Sequence, residues 1–142
     1  MTQTKIIAID DDPTGSQTVH SCLLLTRWDV DTLIHALHDD SPLFFILSNT
    51  RGMDAARAAE VTREICVNLK CALDRLHEKG NRINPIVVSR SDSTLRGHYP
   101  IETDIIAEEL GPFDAHFMEP AFIEAGRFTR DSICLLYTSP SP

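Results

Sequence analysis

The chain of 142 residues is long enough for one domain with a buried core. Its formal net charge of −8 argues against partners with an anionic surface, so we expect neither nucleic acid nor a membrane as a partner. The apolar runs are too short to span a bilayer, and a strand-like run begins at Lys5, so we expect no secretory signal. Four cysteines without a CxxC pair indicate free thiols, and we expect a cytoplasmic protein.

Two strands and a helix are predicted in the first part of the chain. The apolar run KIIAI at Lys5–Ile9 predicts a strand buried on both faces, and SCLLLT at Ser21–Thr26 predicts a second strand. The segment Asp29–His38 has apolar residues at helical spacing, with Asp29 as the N-cap. These segments begin an alternation of strands and helices.

The rest of the chain continues this alternation. LFFIL at Leu43–Leu47 predicts a third strand, and Asp54–Lys79 predicts a long helix with an apolar stripe. PIVVS at Pro85–Ser89 predicts a fourth strand, and Pro100–Leu110 predicts a helix with proline in its first turn. A fifth strand is predicted at the end of Asp114–Phe122. We therefore expect an α/β fold: a single domain with an open, doubly wound, mostly parallel sheet and flanking helices.

Polar residues follow four of the predicted strands at their carboxyl ends. The loops read DDDPTGSQ after the first strand, SNTRG after the third, RSDSTLRG after the fourth and EPAFIEAGR after the fifth. The last loop carries Glu119, Glu124 and Arg127. Because ligands of open parallel sheets bind outside the carboxyl ends of the strands, we expect these loops to converge on a binding site.

The residue types in these loops suit a small polyhydroxylated anion. The guanidinium of arginine matches a carboxylate or phosphate with two hydrogen bonds, and aspartate accepts hydrogen bonds from hydroxyl groups. The residues with these properties are Arg51, Arg90, Arg96, Asp11, Asp12 and Asp92. Taken singly, each is also explained as a turn cap or a surface ion pair. Their convergence at one sheet edge is what favours a site.

Several motifs of known chemistry do not occur in the sequence. It contains no GxxxxGK[ST] loop, no GxGxxG fingerprint and no HExxH helix, so these residues do not predict a nucleotide site. His35 and His38 lie three apart on a predicted helix, but a solvated helix face is the favoured interpretation. We expect no metal site in this chain.

The motifs DDDPTGSQ, NTRG, SRSDSTLRGHYPIETD and PAFIEAGRFT resemble those of the four-carbon acid sugar kinase family. They are similar to its N-terminal, sugar-acid-binding domain over about Lys5 to Ile133. The family implies ATP-dependent phosphorylation of four-carbon sugar acids such as threonate, erythronate or their 3-oxo (tetronate) forms. It also implies ATP and Mg²⁺, held mainly by a C-terminal nucleotide-binding domain that is the partner of this domain in the parent chain.

The resemblance also implies a set of substrate-binding residues. The first acidic loop of the family corresponds to Asp11, Asp12 and Thr14, and its second motif to Arg51. Its third motif corresponds to Ser91, Asp92, Ser93, Thr94 and Arg96. Arg90 joins the set because of its position among the arginines at the strand ends. We expect Arg51 and the Arg96 loop to hold the substrate carboxylate. Asp11 or Asp12 would orient hydroxyl groups. The catalytic residue and a homo-oligomeric state stay open.

Two alternative functions stay open as well. A haloacid-dehalogenase-like phosphatase would use the D-x-D-x-T pattern of Asp10, Asp12 and Thr14, with Asp10 as nucleophile and Mg²⁺ ligand. Ser89 would stand in its second motif, but the arginine-rich DSTLRG loop has no role in such an enzyme. The other alternative is a non-catalytic module that binds a sugar acid without turning it over.

The segment CLLYTSPSP at Cys134–Pro142 differs in character from the rest of the chain. It resembles the in-frame translation of a sequencing adapter, so we expect an artefactual, disordered tail. The predicted domain therefore spans residues 1–133 of a truncated gene product. Because the nucleotide-binding domain is not in this sequence, we expect the fragment to be inactive alone.

Overall fold

The computed structural model describes residues 3–131 and 133–136 of the chain. The strands are β1 (Gln3–Asp10), β2 (Leu23–Leu25), β3 (Leu43–Leu47), β4 (Ile83–Arg90), β5 (Arg127–Arg130) and β6 (Ile133–Leu136). The α-helices are α1 (Val30–His38), α2 (Ala55–Glu78) and α3 (Ile101–Leu110). The first four strands form a parallel sheet, and strands and helices alternate along the chain from β2 to α3. The predicted α/β fold is therefore confirmed.

β1 lies in the interior of the sheet and sets the position of the loops around it. The strand order is β2-β3-β1-β4, and every pair is parallel. Asp10, the last residue of β1, is in register with Leu47 at the end of β3 and with Arg90 at the end of β4. The three strands therefore end side by side, and the loops that follow them leave the sheet at one edge.

The described helices pack on one face of the sheet. Alternate residues of β1 and β3, such as Ile7 and Phe44, lie in one hydrophobic cluster with residues of all three helices. The stripe that α2 contributes to this cluster consists of Val61, Ile65, Cys66, Leu69, Ala72 and Leu76. On the other face, Ile6, Ile86 and Val88 are each more than a third exposed.

The ends of the helices follow the local sequence. Asp29 is the predicted cap of α1 and accepts a hydrogen bond from the backbone N–H of Thr32 at 3.0 Å. Asp54 caps α2 in the same way, with the N–H of Arg57 at 2.9 Å. Gly80 follows α2 with a φ of +85°, a left-handed conformation that commonly terminates helices. None of the helices in the described ranges is long and apolar enough to cross a membrane.

Lys5 is a polar exception within the apolar run of β1. Its side chain is fully buried, and its ammonium group donates to the backbone carbonyls of Asp39 and Ser41. A buried ammonium group is strongly destabilising unless it is hydrogen-bonded. These bonds therefore hold the connection between α1 and β3 against the start of β1.

The predicted fifth strand within Asp114–Phe122 is wrong. Residues 114–121 form no strand, and Phe117 is 85% exposed. Pro120 has no N–H to donate to a neighbouring strand, which disfavours pairing of this segment with the sheet. The chain instead forms a 3₁₀ turn at Ile123–Ala125 and then the antiparallel hairpin of β5 and β6, which is a separate sheet.

The hairpin includes part of the segment that we assigned to the tail. Cys134 is in register with Thr129 of β5, and its thiol lies 3.4 Å from the backbone carbonyl oxygen of Ser93 in the loop after β4. Residues 137–142 of the tail lie outside the described residues. The adapter origin of the tail and a domain boundary at residue 133 stay predictions.

Leu69→Ala tests the core position of α2. Leu69 is fully buried, so we expect the free energy of unfolding to fall by about 2–5 kcal/mol. Val67→Ala is the matched control on the same helix, because Val67 is 47% exposed, and its expected change is within about 0.5 kcal/mol. Urea denaturation of both variants measures the difference. Equal losses for the two variants would contradict the packing described here.

Candidate functional site

The loops after β1, β3 and β4 bring most of the predicted site residues together at the carboxyl edge of the sheet. Backbone hydrogen bonds join these loops: for example, the Asp11 N–H donates to the Arg90 carbonyl at 3.2 Å, and the Arg51 N–H donates to the Asp11 carbonyl at 3.1 Å. The side chains that gather there, which we name the carboxyl-edge cluster, are Asp10, Asp11, Asp12, Arg51, Arg90, Ser91, Asp92 and Arg96.

Arg51 connects the loops after β1 and β3 through a two-point ion pair. Its Nη2 and Nε atoms donate to the two carboxylate oxygens of Asp11 at 2.7 and 3.2 Å, and its Nη1 donates to Asp12 at 2.8 Å. Hydrogen bonding to Asp11 raises the pKa of Arg51. The side chains of Arg51 and Asp11 are only 19% and 3% exposed, so water screens this pair less than a surface ion pair.

Ser91 adds the loop after β4 to the same carboxylate. Its hydroxyl group donates to Oδ2 of Asp11 at 2.7 Å and lies 3.3 Å from the backbone carbonyl oxygen of Arg96. Asp11 itself follows β1, while its partners follow β3 and β4. One nearly buried carboxylate therefore joins all three loops.

Asp92 and Arg96 form a second two-point pair at the outer side of the cluster. Nε and Nη2 of Arg96 donate to the two carboxylate oxygens of Asp92 at 2.9 and 3.0 Å. These bonds, with further ones from Thr94, hold the pKa of Asp92 well below its usual range. Asp92 raises the pKa of Arg96, and the nearby Asp12 and Asp11 carboxylates act in the same direction. The Arg96 side chain is 68% exposed. The Arg96 guanidinium is therefore accessible to solvent.

Asp10 and Arg90 form the innermost pair. The Asp10 side chain is fully buried, and one of its oxygens accepts a hydrogen bond from Arg90 at 3.2 Å while the other has no partner in the described part of the chain. Burial raises the pKa of Asp10, although Arg90 acts in the opposite direction. Gly15 packs directly on this pair, and a Cβ atom there would collide with the Arg90 guanidinium and the Asp10 carboxylate.

The backbone adopts left-handed conformations at three positions of the loops. Asn49 and Leu95 have φ values of +53° and +60°, and Gly97 has a φ of +135°. Such conformations are unfavourable for residues with a Cβ and concentrate at functional sites in proteins. At Gly97 the close approach of the backbone to Asp11 and Ser91 also requires a residue without a side chain.

A group of buried polar residues behind the cluster was not predicted from the sequence. The hydroxyl oxygen of Thr50 lies 2.5 Å from a carboxyl oxygen of Glu102, in the first turn of α3, and 3.0 Å from the hydroxyl oxygen of Ser48. Ser48 donates to the Asp10 carbonyl at 3.0 Å, and a ring nitrogen of His98 lies 3.1 Å from the Thr50 carbonyl oxygen. Burial raises the pKa of Glu102. The one signal in the sequence was the nearness of His98 to the DSTLRG motif.

The remaining predicted residues lie around the cluster. Thr14 donates twice to Asp12, at 2.5 and 2.7 Å, and these bonds lower the pKa of Asp12. Ser93 contacts the hairpin, because Arg127 donates to its hydroxyl group at 3.3 Å. Glu119 and Glu124 are exposed, and neither contacts the cluster within the described ranges. Of the loop that we placed after a fifth strand, Arg127 alone therefore reaches the site residues in the part of the chain described.

Gly97→Ala tests the close approach at the site. Its new Cβ would lie 2.6 Å from the Ser91 hydroxyl oxygen, so Ser91 would have to leave Asp11. Gly80→Ala is the control, since Gly80 also has a positive φ but nothing within 4 Å of a Cβ. We expect Gly80→Ala to lower the free energy of unfolding by about 1–2 kcal/mol, and Gly97→Ala by about 1–3 kcal/mol more. Thermal or urea unfolding measures both, and similar losses would contradict the crowding.

The comparison with known proteins gives one family match. The model of the sugar-binding N-terminal domain family matches residues 6–141 of the chain, which is nearly its whole length. No curated protein and no solved structure gives a significant match. The matched range contains the carboxyl-edge cluster, the buried network behind it and the hairpin. The chain belongs to the sugar-binding N-terminal domain family, the N-terminal domain of four-carbon acid sugar kinases.

Proposed function

We propose that the carboxyl-edge cluster binds a four-carbon sugar acid, such as threonate, erythronate or a 3-oxo-tetronate form, for phosphorylation by an ATP-dependent kinase. The family match supports sugar binding by this domain. The observation that carries the proposal is the gathering of three arginines with aspartates and a serine at the ends of β1, β3 and β4. Such a mixture suits a ligand that has one carboxylate and several hydroxyl groups.

Arg96 is the residue that we assign to the substrate carboxylate. A guanidinium has five N–H groups, and the bonds to Asp92 use two of its nitrogens while the side chain stays 68% exposed. Arg51 is less available than we expected, because three of its nitrogens donate to Asp11 and Asp12 and its side chain is 19% exposed. We therefore assign Arg51 to holding the two aspartates in place.

Asp12 is the aspartate that we assign to substrate hydroxyl groups. Both oxygens of Asp11 already accept hydrogen bonds, from Arg51 and Ser91, and this side chain is 3% exposed. The Asp12 side chain is 23% exposed. Its Oδ1 accepts two hydrogen bonds from Thr14, whereas its Oδ2 accepts one hydrogen bond, from Arg51, and keeps a further lone pair. An ionised carboxylate in this position would accept a hydrogen bond from a substrate hydroxyl group and fix the orientation of that group.

ATP and Mg²⁺ are the remaining components that a kinase of this family implies. Within residues 3–131 and 133–136, no three His, Cys, Asp or Glu side chains are arranged to hold a metal ion. Asp10, Asp11 and Asp12 are instead directed at arginines. The described residues do not fit a metal ion, so we assign no step to Mg²⁺ or ATP here and propose that the nucleotide is held by a separate C-terminal domain.

The phosphatase alternative is less well supported. It requires Asp10 to reach the phosphorus atom of a substrate, whereas the Asp10 side chain is fully buried and pairs with Arg90. It also gives no role to the arginine-rich loop after β4. The other alternative, a module that binds a sugar acid without turnover, also requires binding at the carboxyl-edge cluster. The two functions differ only in whether the bound acid is then phosphorylated, so the same binding experiment addresses both.

Arg96→Ala tests the assignment of the carboxylate. We expect binding of a four-carbon sugar acid to weaken by about 1.5–3 kcal/mol, the range for a hydrogen bond to a charged group. Isothermal titration with threonate and erythronate measures the affinity. Arg57→Ala is the matched control, because Arg57 is an exposed arginine of α2 that pairs with Glu60 and not with a residue of the carboxyl-edge cluster. Unchanged affinity in Arg96→Ala would remove the assigned role.

A further inference from the structure

Three buried side chains form a continuous line behind the carboxyl-edge cluster. Oε1 of Glu102 lies 2.5 Å from Oγ1 of Thr50, which lies 3.0 Å from Oγ of Ser48, which lies 3.0 Å from the carbonyl oxygen of Asp10. The three side chains belong to residues that are only 6%, 0% and 2% exposed. All three contacts lie within hydrogen-bond distance, and three hydrogen atoms are needed if each of them is a hydrogen bond.

The number of available hydrogen atoms depends on Glu102. Each hydroxyl group has one hydrogen, and a backbone carbonyl has none. If Glu102 is ionised, Ser48 and Thr50 supply two hydrogens for three contacts, and one contact joins two oxygens without a proton. If Glu102 is a neutral carboxylic acid, it donates to Thr50, Thr50 donates to Ser48, and Ser48 donates to the Asp10 carbonyl. Only the neutral acid completes the line.

We propose that Glu102 is a neutral carboxylic acid in the folded protein and that its proton completes a hydrogen-bond line positioning the loop that carries Arg51. The line joins α3 to the end of β1 through Thr50, the residue next to Arg51. The part of the proposal that concerns ligand binding rests on the proposed function, whereas the protonation of Glu102 does not. Glu102 is thus a positioning residue, which acts on the ligand through other side chains.

The surroundings of Glu102 favour the neutral form. Burial is the largest influence and raises the pKa of Glu102, and the Asp11 carboxylate from the loop after β1 acts in the same direction. The charge of His98 and a backbone hydrogen bond from that residue act in the opposite direction, as does the bond with Thr50. From the neighbouring helix α2, Arg63 contacts the other end of α3, where it pairs with Glu108 and Glu109.

The proposal predicts the sign of a pH dependence. A carboxyl group with a raised pKa in the folded state stabilises the fold fully below its unfolded value, 4.5, and loses this contribution as the pH rises through the folded value. Glu102→Gln keeps a donor to Thr50 at every pH because its amide carries N–H groups. Glu102→Leu keeps a similar volume without a donor.

The first test is the charge state itself, read by carbon-13 NMR of the Glu102 carboxyl carbon in the whole chain. The resonance is assigned by its disappearance in Glu102→Gln. We expect the shift of a protonated acid at about pH 5.5, one unit above the ordinary value. The shift of an ionised carboxylate at that pH would overturn the proposal.

The second test compares unfolding across pH. Relative to Glu102→Gln, the unfolding equilibrium constant of the native chain is expected to rise by up to about tenfold per pH unit above pH 4.5, until Glu102 ionises in the folded protein. Glu102→Leu should be less stable than Glu102→Gln throughout. A constant difference between the native chain and Glu102→Gln across pH would overturn the proposal.

Binding then separates this proposal from the proposed function. Titration with threonate should show affinity that falls with rising pH in the native chain and less so in Glu102→Gln, with Arg57→Ala following the native chain. Absence of sugar-acid binding under all conditions would defeat the proposed function, and the carbon-13 shift would still decide the protonation of Glu102. Equal pH profiles in the native chain and Glu102→Gln would defeat the positioning role.

Discussion

The two-point pair between Asp11 and Arg51 is the interaction on which the rest of the site depends. Three loops that leave the ends of three strands stay close together only if interactions between their polar groups hold them there. Asp11 supplies these interactions, because it accepts from Arg51 on one side and from Ser91 on the other while it is almost fully buried. Removing one side of such a pair leaves an uncompensated charge, so the arrangement is mutually dependent.

The fold and the convergence of the loops at one sheet edge were predictable from the sequence, but the pairing of side chains within the carboxyl-edge cluster was not. The apolar runs of β1 and β3 and the stripe of α2 report burial directly, and a parallel sheet brings strand ends to one edge. Pro120 interrupted the predicted fifth strand, which apolar content alone had favoured. Glu102 was missed because an acidic residue in the first turn of a helix usually indicates a favourable, solvated charge. Its burial depends on the packing of α3 against Thr50, which no local pattern contains.

The arginines of the cluster already have aspartate partners before any ligand arrives. Under the proposed function, a ligand carboxylate that binds Arg96 meets a guanidinium whose direction is already set by Asp92, so fewer rotamers have to be fixed upon binding. The aspartates also keep the local charge from being strongly positive, so a simple anion gains little from general attraction. Under the proposed function, selectivity rests on the match between individual donors and acceptors, as expected for a ligand with both a carboxylate and hydroxyl groups.

The β5–β6 hairpin has a consequence for the loop that carries Arg96. That loop leaves the sheet at the end of β4, and Ser93 in its middle contacts Arg127 and Cys134 of the hairpin. A support from outside the parallel sheet restricts the loop while the domain folds, so less chain entropy remains to be lost when a small molecule is captured. Under the proposed function, Arg127 of β5 thereby contributes to affinity without contacting the bound molecule.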